Sequence, residues 1–272
     1  MILLALACTG PLESGDCGSP TDTVSVVVSA MDFARRDDQG RAWGFDLDGH
    51  TTSGGDSDGC GIADVTRPDG VEGIDNALSG ILPTLEATQA VAVSGLIEDS
   101  IRSGELLVMA ELTRVDHPLQ DSCVDFGLWR ARGVPMVGTD GEILDHQTFD
   151  RDPDIEPGLD ASIPLAAGVF QPQGFEVVLP VQILDVFLTF HMQQAQVYGE
   201  LDEDGYMLGY FGGAVPLTDF DVLTELSDIG EVAGLLEGLL PLAADIDLDQ
   251  DGTCDAMSIV FEVEGTPAYF YP

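Results

Sequence analysis

The sequence predicts an α+β fold in which a mostly antiparallel, sandwich-like β-sheet packs with a few helices and carries Asp/Gly-rich loops. Three observations lead to this prediction: β-branched or alternating runs of strand length, Asp-Gly turns between such runs, and stretches with helical apolar spacing. Hydrophobic residues make up 44% of the 272 residues, enough to bury a sizeable core. We expect residues 23–272 to form a single domain and residues 1–22 to be a start segment and flexible tether.

The first half of the domain alternates between regular segments and one long loop. Thr23–Ala30 is β-branched and alternating, which predicts a strand. Arg41–Gly73 is dense in Asp and Gly and is predicted to be a loop. Gly73–Thr88 and Val91–Ser103 have helical spacing and are predicted to be two helices.

The second half is predicted to be mostly sheet with one long helix. Thr218–Ala244 is the predicted helix, because Thr218 can cap it and its apolar residues recur at three- and four-residue steps. Asp202–Gly205 is typical of a hairpin turn. The predicted strands are apolar or alternating runs: Leu106–Val115, Val124–Arg132, Phe175–Ile183, Phe187–Leu201, Tyr206–Val215, Met257–Val263 and Ala268–Tyr271.

The charge is strongly one-sided and excludes several classes of partner. The formal net charge is -40, and the 9 basic residues are all Arg. Nucleic-acid binding needs clustered Lys and Arg, so we exclude it, and attraction to an anionic membrane surface is excluded on the same ground. Self-repulsion at this charge destabilises a compact chain, so the composition predicts a need for salt or divalent cations.

The first residues resemble the end of a bacterial lipoprotein signal peptide. Met1–Ala7 reads MILLALA and precedes Cys8, the position at which such proteins are lipidated. The apolar run is short and no basic residue precedes it, so we expect the signal to begin upstream of Met1. The resemblance implies an exported protein, in the outer membrane or extracellular, that contacts the membrane only through a lipid anchor on Cys8.

Cysteine usage predicts disulfides rather than a zinc site. The 5 Cys include no CxxC pair, and the 4 His are scattered. With Cys8 lipidated, four Cys remain and allow three pairings, which the sequence does not distinguish. Cys60 with Cys123 is favoured because both lie within the folded body, which leaves Cys17 with Cys254.

The strongest chemical signal is an Asp-rich loop near the C-terminus. Alternate carboxylates in a tight loop supply the hard oxygen ligands that calcium needs, and Gly252 permits the bend. The predicted calcium ligands are Asp247, Asp249, Asp251, the carbonyl of Thr253, and Asp255. The segment resembles the DxDxDG loops of EF-hands, dockerins and thrombospondin type 3 repeats.

The loop departs from an EF-hand at its last ligand position. Ser258 stands where the bidentate Glu would be, and the residues after it are typical of a strand. We therefore expect a structural calcium site between a helix and a strand, with a dissociation constant of about 0.1–1 mM and with Asp245 or Glu262 as supplementary ligands.

The N-terminal Asp/Gly loop is a second candidate for an ion. Its spacing matches no ligand template, and a merely solvated loop is the alternative. Cys60 would pin the loop. The carboxylates that could converge there are Asp46, Asp48, Asp56, Asp58 and Asp64.

No recognisable catalytic motif is present, so we predict no catalytic residues and a protein that is not an enzyme. The leading hypothesis is a calcium-stabilised cell-surface lipoprotein with an unidentified protein or glycan partner. In composition and short motifs the chain resembles the Asp/Gly-rich lipoproteins of GC-rich Gram-negative bacteria. The alternatives are a secreted calcium-dependent hydrolase and an apolar-ligand carrier whose pocket is lined by residues 175–215.

Overall fold

The computed structural model of the chain describes residues 22–55, 60–87, 93–183, 186–224, 234 and 237–272. Its helices are α1 (Leu78–Glu86), α2 (Val93–Ser103) and α3 (Asp221–Thr224), with 3-10 turns at Leu217–Phe220 and Leu240–Leu242. Its strands are β1 (Asp22–Phe33), β2 (Val108–Val115), β3 (Gln120–Arg132), β4 (Gln147–Arg151), β5 (Gly158–Ala166), β6 (Val169–Phe170), β7 (Gln173–Ile183), β8 (Val186–Leu201), β9 (Met207–Pro216) and β10 (Ala256–Phe270).

Eight of these strands close into an antiparallel barrel. The order around the ring is β1-β2-β3-β5-β6-β8-β9-β10, and pairing of β10 with β1 completes it. The two extra strands extend the sheet: β7 pairs with β8, and β4 lies between β3 and β10, parallel to β10. Helix accounts for only 14% of the chain, so the protein is mainly β.

The prediction of a sandwich-like α+β fold is therefore wrong, and β5 and β6 explain why. Neither strand was predicted, because β5 mixes small and polar residues with Pro164, and β6 has only 2 residues. These two strands join β3 to β8. Without them nothing would link β3 to β8, and the ring of strands would stay open.

Most other predicted strands are found within a few residues of their expected bounds. The exception is β10, one strand of 15 residues where two were predicted on either side of Gly265 and Pro267. The predicted helix Gly73–Thr88 is shorter, since α1 begins at Leu78. Within the predicted helix Thr218–Ala244, residues 225–233, 235 and 236 lie outside the described residues. The described part is helical at Asp221–Thr224, 234 and 237–239, and 3-10 turns lie at both of its ends.

The barrel interior is filled by alternate side chains of the strands. On β10, Met257, Ile259, Phe261 and Val263 all belong to the main core cluster, as the two-residue period of a strand requires. Phe126 lies at the centre of an aromatic group, with ring centroids 5.9 Å from Phe170 and 5.7 Å from Phe175. Helix α2 contacts β1 and β7 and buries Ile97 and Ile101.

The opposite face of β10 carries a second, smaller core. Ala256 and Val260 pack there with Phe45 and Ile246. Glu262, on the same face, is exposed, which identifies this face as the outside of the barrel. We call residues 34–55, 60–77 and 240–256 the outer layer. It is tied to the barrel by main-chain hydrogen bonds, including the amide of Ala34 to the carbonyl of Val260 at 2.9 Å.

Substitution of Gly199 would test how tightly the barrel interior is packed. A Cβ atom at this position would lie 2.3 Å from Cζ of Phe170, whose side chain is 2% exposed. Because a filled core cannot absorb an added methyl group there, we expect Gly199→Ala to lower the free energy of unfolding by about 1–3 kcal/mol in urea titrations. Gly238→Ala is the control, since a Cβ there meets nothing within 4 Å. Equal unfolding midpoints for the two variants would contradict this packing.

Candidate metal centre

The C-terminal acidic loop gathers three carboxylates immediately before β10. One carboxylate oxygen from each of Asp247, Asp249 and Asp251 lies within 4.8 Å of the others. Gln250 and Gly252 adopt left-handed φ angles of 60° and 89°, which turn the chain sharply around these side chains. The loop can therefore present three oxygen ligands to one cation.

Peptide amides inside the loop help to hold the carboxylates in place. Asp247 accepts hydrogen bonds from the amides of Asp251 at 3.2 Å and Gly252 at 2.8 Å. Asp251 accepts one from the amide of Thr253 at 2.7 Å. Asp249 and Asp251 are exposed whereas Asp247 is half-buried. The group thus lies at the surface, open to an ion from solvent.

Of the five predicted ligands, Asp255 points elsewhere. Its Oδ1 accepts a hydrogen bond from the amide of Leu248 at 3.2 Å, and it is outside the converging group. Thr253 is exposed beside that group. The predicted supplement Asp245 is buried behind the loop, where its carboxylate accepts hydrogen bonds from the amide and the hydroxyl of Ser258. An ion in the loop would thus have Asp247, Asp249 and Asp251 as its carboxylate ligands.

A second group of carboxylates converges within the outer layer. One oxygen from each of Asp46, Asp48 and Asp75 lies within 4.8 Å of the others. Asp75 is 3% exposed, Asp48 is half-buried and Asp46 is exposed. Asp75 faces the segment around Leu47, whose amide donates to Asp75 Oδ2 at 2.7 Å, while the amide of Asp75 donates to the carbonyl of Phe45 at 2.9 Å.

Two further carboxylates lie close enough to shift the pKa values of this second group. Burial, together with the negative charges of Asp245, Asp48 and Asp64, raises the pKa of Asp75 to about 8, although the hydrogen bond from the amide of Leu47 lowers it. Burial likewise raises the pKa of Asp245 to about 7 and that of Asp64 above its usual value. The charges that act on Asp75 are all carboxylates, so this part of the outer layer holds uncompensated negative charge.

A disulfide joins the two acidic regions. Cys60 is bonded to Cys254, 194 residues away, and Cys254 lies between Thr253 and Asp255. The predicted pairings of Cys60 with Cys123 and of Cys17 with Cys254 are therefore both wrong. Cys123 is disulfide-bonded as well, and Cys17 lies outside the described residues. The correct pair could not be chosen from the sequence, because only the folding of the outer layer on β10 brings residues 60 and 254 together.

Sequence reasoning missed Asp75 and assigned Asp245 to the other site. Asp75 was placed inside the predicted helix Gly73–Thr88, whereas it lies in an isolated bridge with Phe45 ahead of α1. The only sequence signal is its position between Ile74 and Asn76, both of which are buried. Asp46, Asp48 and Asp64 were predicted to converge, and Asp56 and Asp58 lie outside the described residues.

Two apolar cavities bear on the predicted alternative of a ligand carrier. One is lined by Val24, Leu112 and Phe170 among others, and the second by Met31, Leu179 and Phe190 among others. Each has a volume of about 10 Å³, room for roughly one water molecule. Neither could hold an apolar ligand.

A groove of about 270 Å³ on the outer wall of β2, β3 and β5 bears on the alternative of a hydrolase. Its lining includes Glu111 and Asp125 beside Trp129. Glu111 accepts hydrogen bonds from Arg151 at 2.8 and 2.7 Å, and Asp125 is paired with Arg114. The third carboxylate of the lining, Asp160, accepts a hydrogen bond from the amide of Gln173 at 2.9 Å. Because two of the three carboxylates are paired with Arg and the third is bonded to the main chain, this groove does not favour a pair of catalytic acids.

Comparison with protein-family models, with curated proteins and with solved structures finds no match for this chain. Within the described residues, no helix is both long and apolar enough to cross a membrane.

The buried carboxylates predict an unusual pH dependence of stability when chelator removes cations. Asp75 has a raised pKa when folded, so between about pH 4 and pH 8 the folded chain holds a proton that the unfolded chain lacks. Stability must therefore fall as pH rises through this range. We expect the thermal midpoint in chelator to fall between about pH 5 and pH 8, and Asp75→Asn to reduce that fall because its side chain is never charged.

Asp204→Asn is the control for this measurement, because Asp204 lies in an exposed turn where its charge is already solvated. The control should keep the full pH dependence. A thermal midpoint of Asp75→Asn that follows the unsubstituted protein at every pH would rule out a buried, proton-binding Asp75.

Proposed function

We propose that this chain is an exported, lipid-anchored cell-surface protein without enzymatic activity, and that calcium bound at the C-terminal acidic loop stabilises it. The observation that carries the proposal is the convergence of Asp247, Asp249 and Asp251 in a loop whose sequence follows the DxDxDG pattern. Three carboxylates without any nitrogen or sulfur ligand favour a hard cation over zinc or copper.

Calcium fits the setting of the loop better than magnesium does. The ligands are exposed and lie in a turn, and calcium accepts the irregular oxygen shells that such loops offer, whereas magnesium demands an almost ideal octahedron. With three carboxylates and no bidentate Glu, the affinity belongs to the extracellular class, with a dissociation constant of about 0.1–1 mM. Such an affinity suits a protein that meets calcium outside the cell.

Export is supported by two further features. The Cys60–Cys254 disulfide is of a kind that forms and persists in oxidising compartments. The MILLALA run before Cys8 resembles the end of a lipoprotein signal. Together they favour an envelope location, with the barrel and its outer layer held outside the membrane by a lipid on Cys8 and a Gly/Ser/Pro-rich tether.

The loop site is tested by thermal unfolding of chelator-treated protein with added calcium. At roughly tenfold excess over the dissociation constant, one site stabilises by about 1.4 kcal/mol, which raises the midpoint of a protein of this size by roughly 3–6 °C. We expect Asp249→Asn with Asp251→Asn to lose this part of the rise, because the loop then keeps one charged ligand.

The matched control is Glu203→Gln with Asp204→Asn, which removes the same charge from another exposed acidic turn. Asp202 in that turn accepts the amide of Asp204 at 2.9 Å, much as the loop aspartates do. The control should keep the full rise with calcium. Identical rises in the loop variant and the unsubstituted protein would refute the loop as a calcium site.

The anchor is tested by intact-mass analysis of protein isolated from its native cells. We expect a mature chain that begins at Cys8 and carries the mass of a diacylglycerol with an added acyl chain, recovered with the membranes. Cys8→Ser should be recovered without lipid. An unmodified chain in the cytoplasmic fraction would contradict both the anchor and the export of this protein.

A further inference from the structure

We propose that Asp46, Asp48 and Asp75 form a second divalent-cation site, partly buried in the outer layer and separate from the C-terminal loop. Their converging oxygens come from two segments of the chain, since Asp75 is 29 residues after Asp46 (75 − 46). An ion at this point would join the Asp46–Asp48 segment to the bridge that precedes α1. This inference does not depend on the loop site.

Asp75 is the observation that distinguishes this group from an ordinary acidic surface. Its side chain is 3% exposed and lies against Asp46 and Asp48. Among the described residues, its carboxylate has one hydrogen-bond donor, the amide of Leu47 on Oδ2. The other oxygen, Oδ1, has no donor there. A carboxylate this deeply buried, with no described donor on Oδ1 and two more carboxylates beside it, is costly unless a cation completes the group.

A proton cannot remove this cost as well as a metal ion can. One proton neutralises a single carboxylate, whereas Asp46, Asp48 and Asp75 converge with Asp64 and Asp245 close by. A divalent ion offsets two charges at once and accepts oxygens from all three converging residues.

The surrounding main chain prepares the site by fixing each ligand. Asp46 Oδ1 accepts the amide of Gly49 at 2.7 Å, and Asp48 Oδ1 accepts the amide of His50 at 2.8 Å. Each of these carboxylates keeps its second oxygen for an ion. The neighbours Phe45 and Leu47 are buried in the smaller core, so the segment cannot turn its aspartates away without exposing apolar surface.

Close packing behind the ligands holds Asp75 at a fixed distance from Asp46. A Cβ atom on Gly44 would lie 2.6 Å from the carbonyl oxygen of Asp75, so only glycine allows the two segments to approach this closely. The side chain of Gln196 on β8 donates to the carbonyl of Asp46 at 3.0 Å. The site is therefore anchored to the barrel wall as well as within the outer layer.

The ligand chemistry identifies the class of ion. The three residues offer only carboxylate oxygens, which favours calcium or magnesium over softer metals. The ligands belong to an irregular loop, which calcium tolerates better. Since Asp75 is buried and pre-positioned, this site should bind calcium more tightly than the exposed loop.

Calcium alone, measured by equilibrium dialysis against chelator-treated protein, tests the proposal. The unsubstituted protein should bind two ions, and Asp75→Asn should bind one, with affinity for the lost ion weakened at least about tenfold. Asn keeps the acceptor for the amide of Leu47 and removes the charge, so the fold should persist. Asp48→Asn, at a half-buried ligand, should give the same loss and guards against a folding defect of the first variant.

The loop variant, Asp249→Asn with Asp251→Asn, separates the two sites. It should also bind one ion, and its combination with Asp75→Asn should bind none. Loss of an ion in Asp75→Asn but not in the loop variant would support this inference and refute the loop. Binding by both Asp75→Asn and Asp48→Asn that superimposes on that of the unsubstituted protein would overturn it. Asp204→Asn, in the turn after β8, is the control that should keep both ions.

Discussion

Strand β10 is the element on which both parts of the molecule depend. It pairs with β1 on one side and β9 on the other, so it closes the barrel. Its inward residues belong to the main core and its outward residues to the smaller one. Ser258 is fully buried on the outward face, where its hydroxyl donates to Asp245 and accepts the amide of Ala77. A single polar side chain thus fastens two of the three segments of the outer layer, 60–77 and 240–256, to the barrel.

The outer layer gathers negative charge that the rest of the chain spreads over its surface. With a net charge of -40, most carboxylates must remain in water, where they are screened. Asp75 and Asp245 are instead buried within a layer whose apolar core is small. Hydrophobic burial there is limited, so neutralisation of these carboxylates weighs more in the outer layer than it would in the barrel.

The sequence predicted individual strands better than it predicted their arrangement. Alternation identified β1 and β3, a continuous apolar run identified β2, and the Asp-Gly turn between β8 and β9 identified those two strands. Barrel closure escaped prediction because it rests on β5 and β6, whose residues carry no clear pattern. A sandwich and a barrel bury the same alternating faces, and only the identity of the edge partners distinguishes them.

For the candidate sites, the sequence could find ligands that are adjacent in the chain but not those brought together by folding. Asp247, Asp249 and Asp251 form a local pattern, and their convergence needs no other segment. Asp75 joins Asp46 and Asp48 only because the chain folds back on Phe45. The disulfide was missed for the same reason, since Cys60 and Cys254 are 194 residues apart.

Local and long-range ligands also differ in what an ion can do for the protein. An ion held within residues 247–251 orders one turn, so its contribution is confined to that turn and to the start of β10. An ion held by Asp46 and Asp75 opposes separation of two segments, as a disulfide does, and its contribution grows with the chain it constrains. Because Cys60–Cys254 already ties the N-terminal part of the outer layer to the C-terminal loop, calcium at the buried site would act on a layer that is cross-linked covalently but still repelled by its own charge. This charge repulsion lies in the outer layer and not in the barrel. We therefore infer that calcium governs the docking of the outer layer rather than the folding of the barrel.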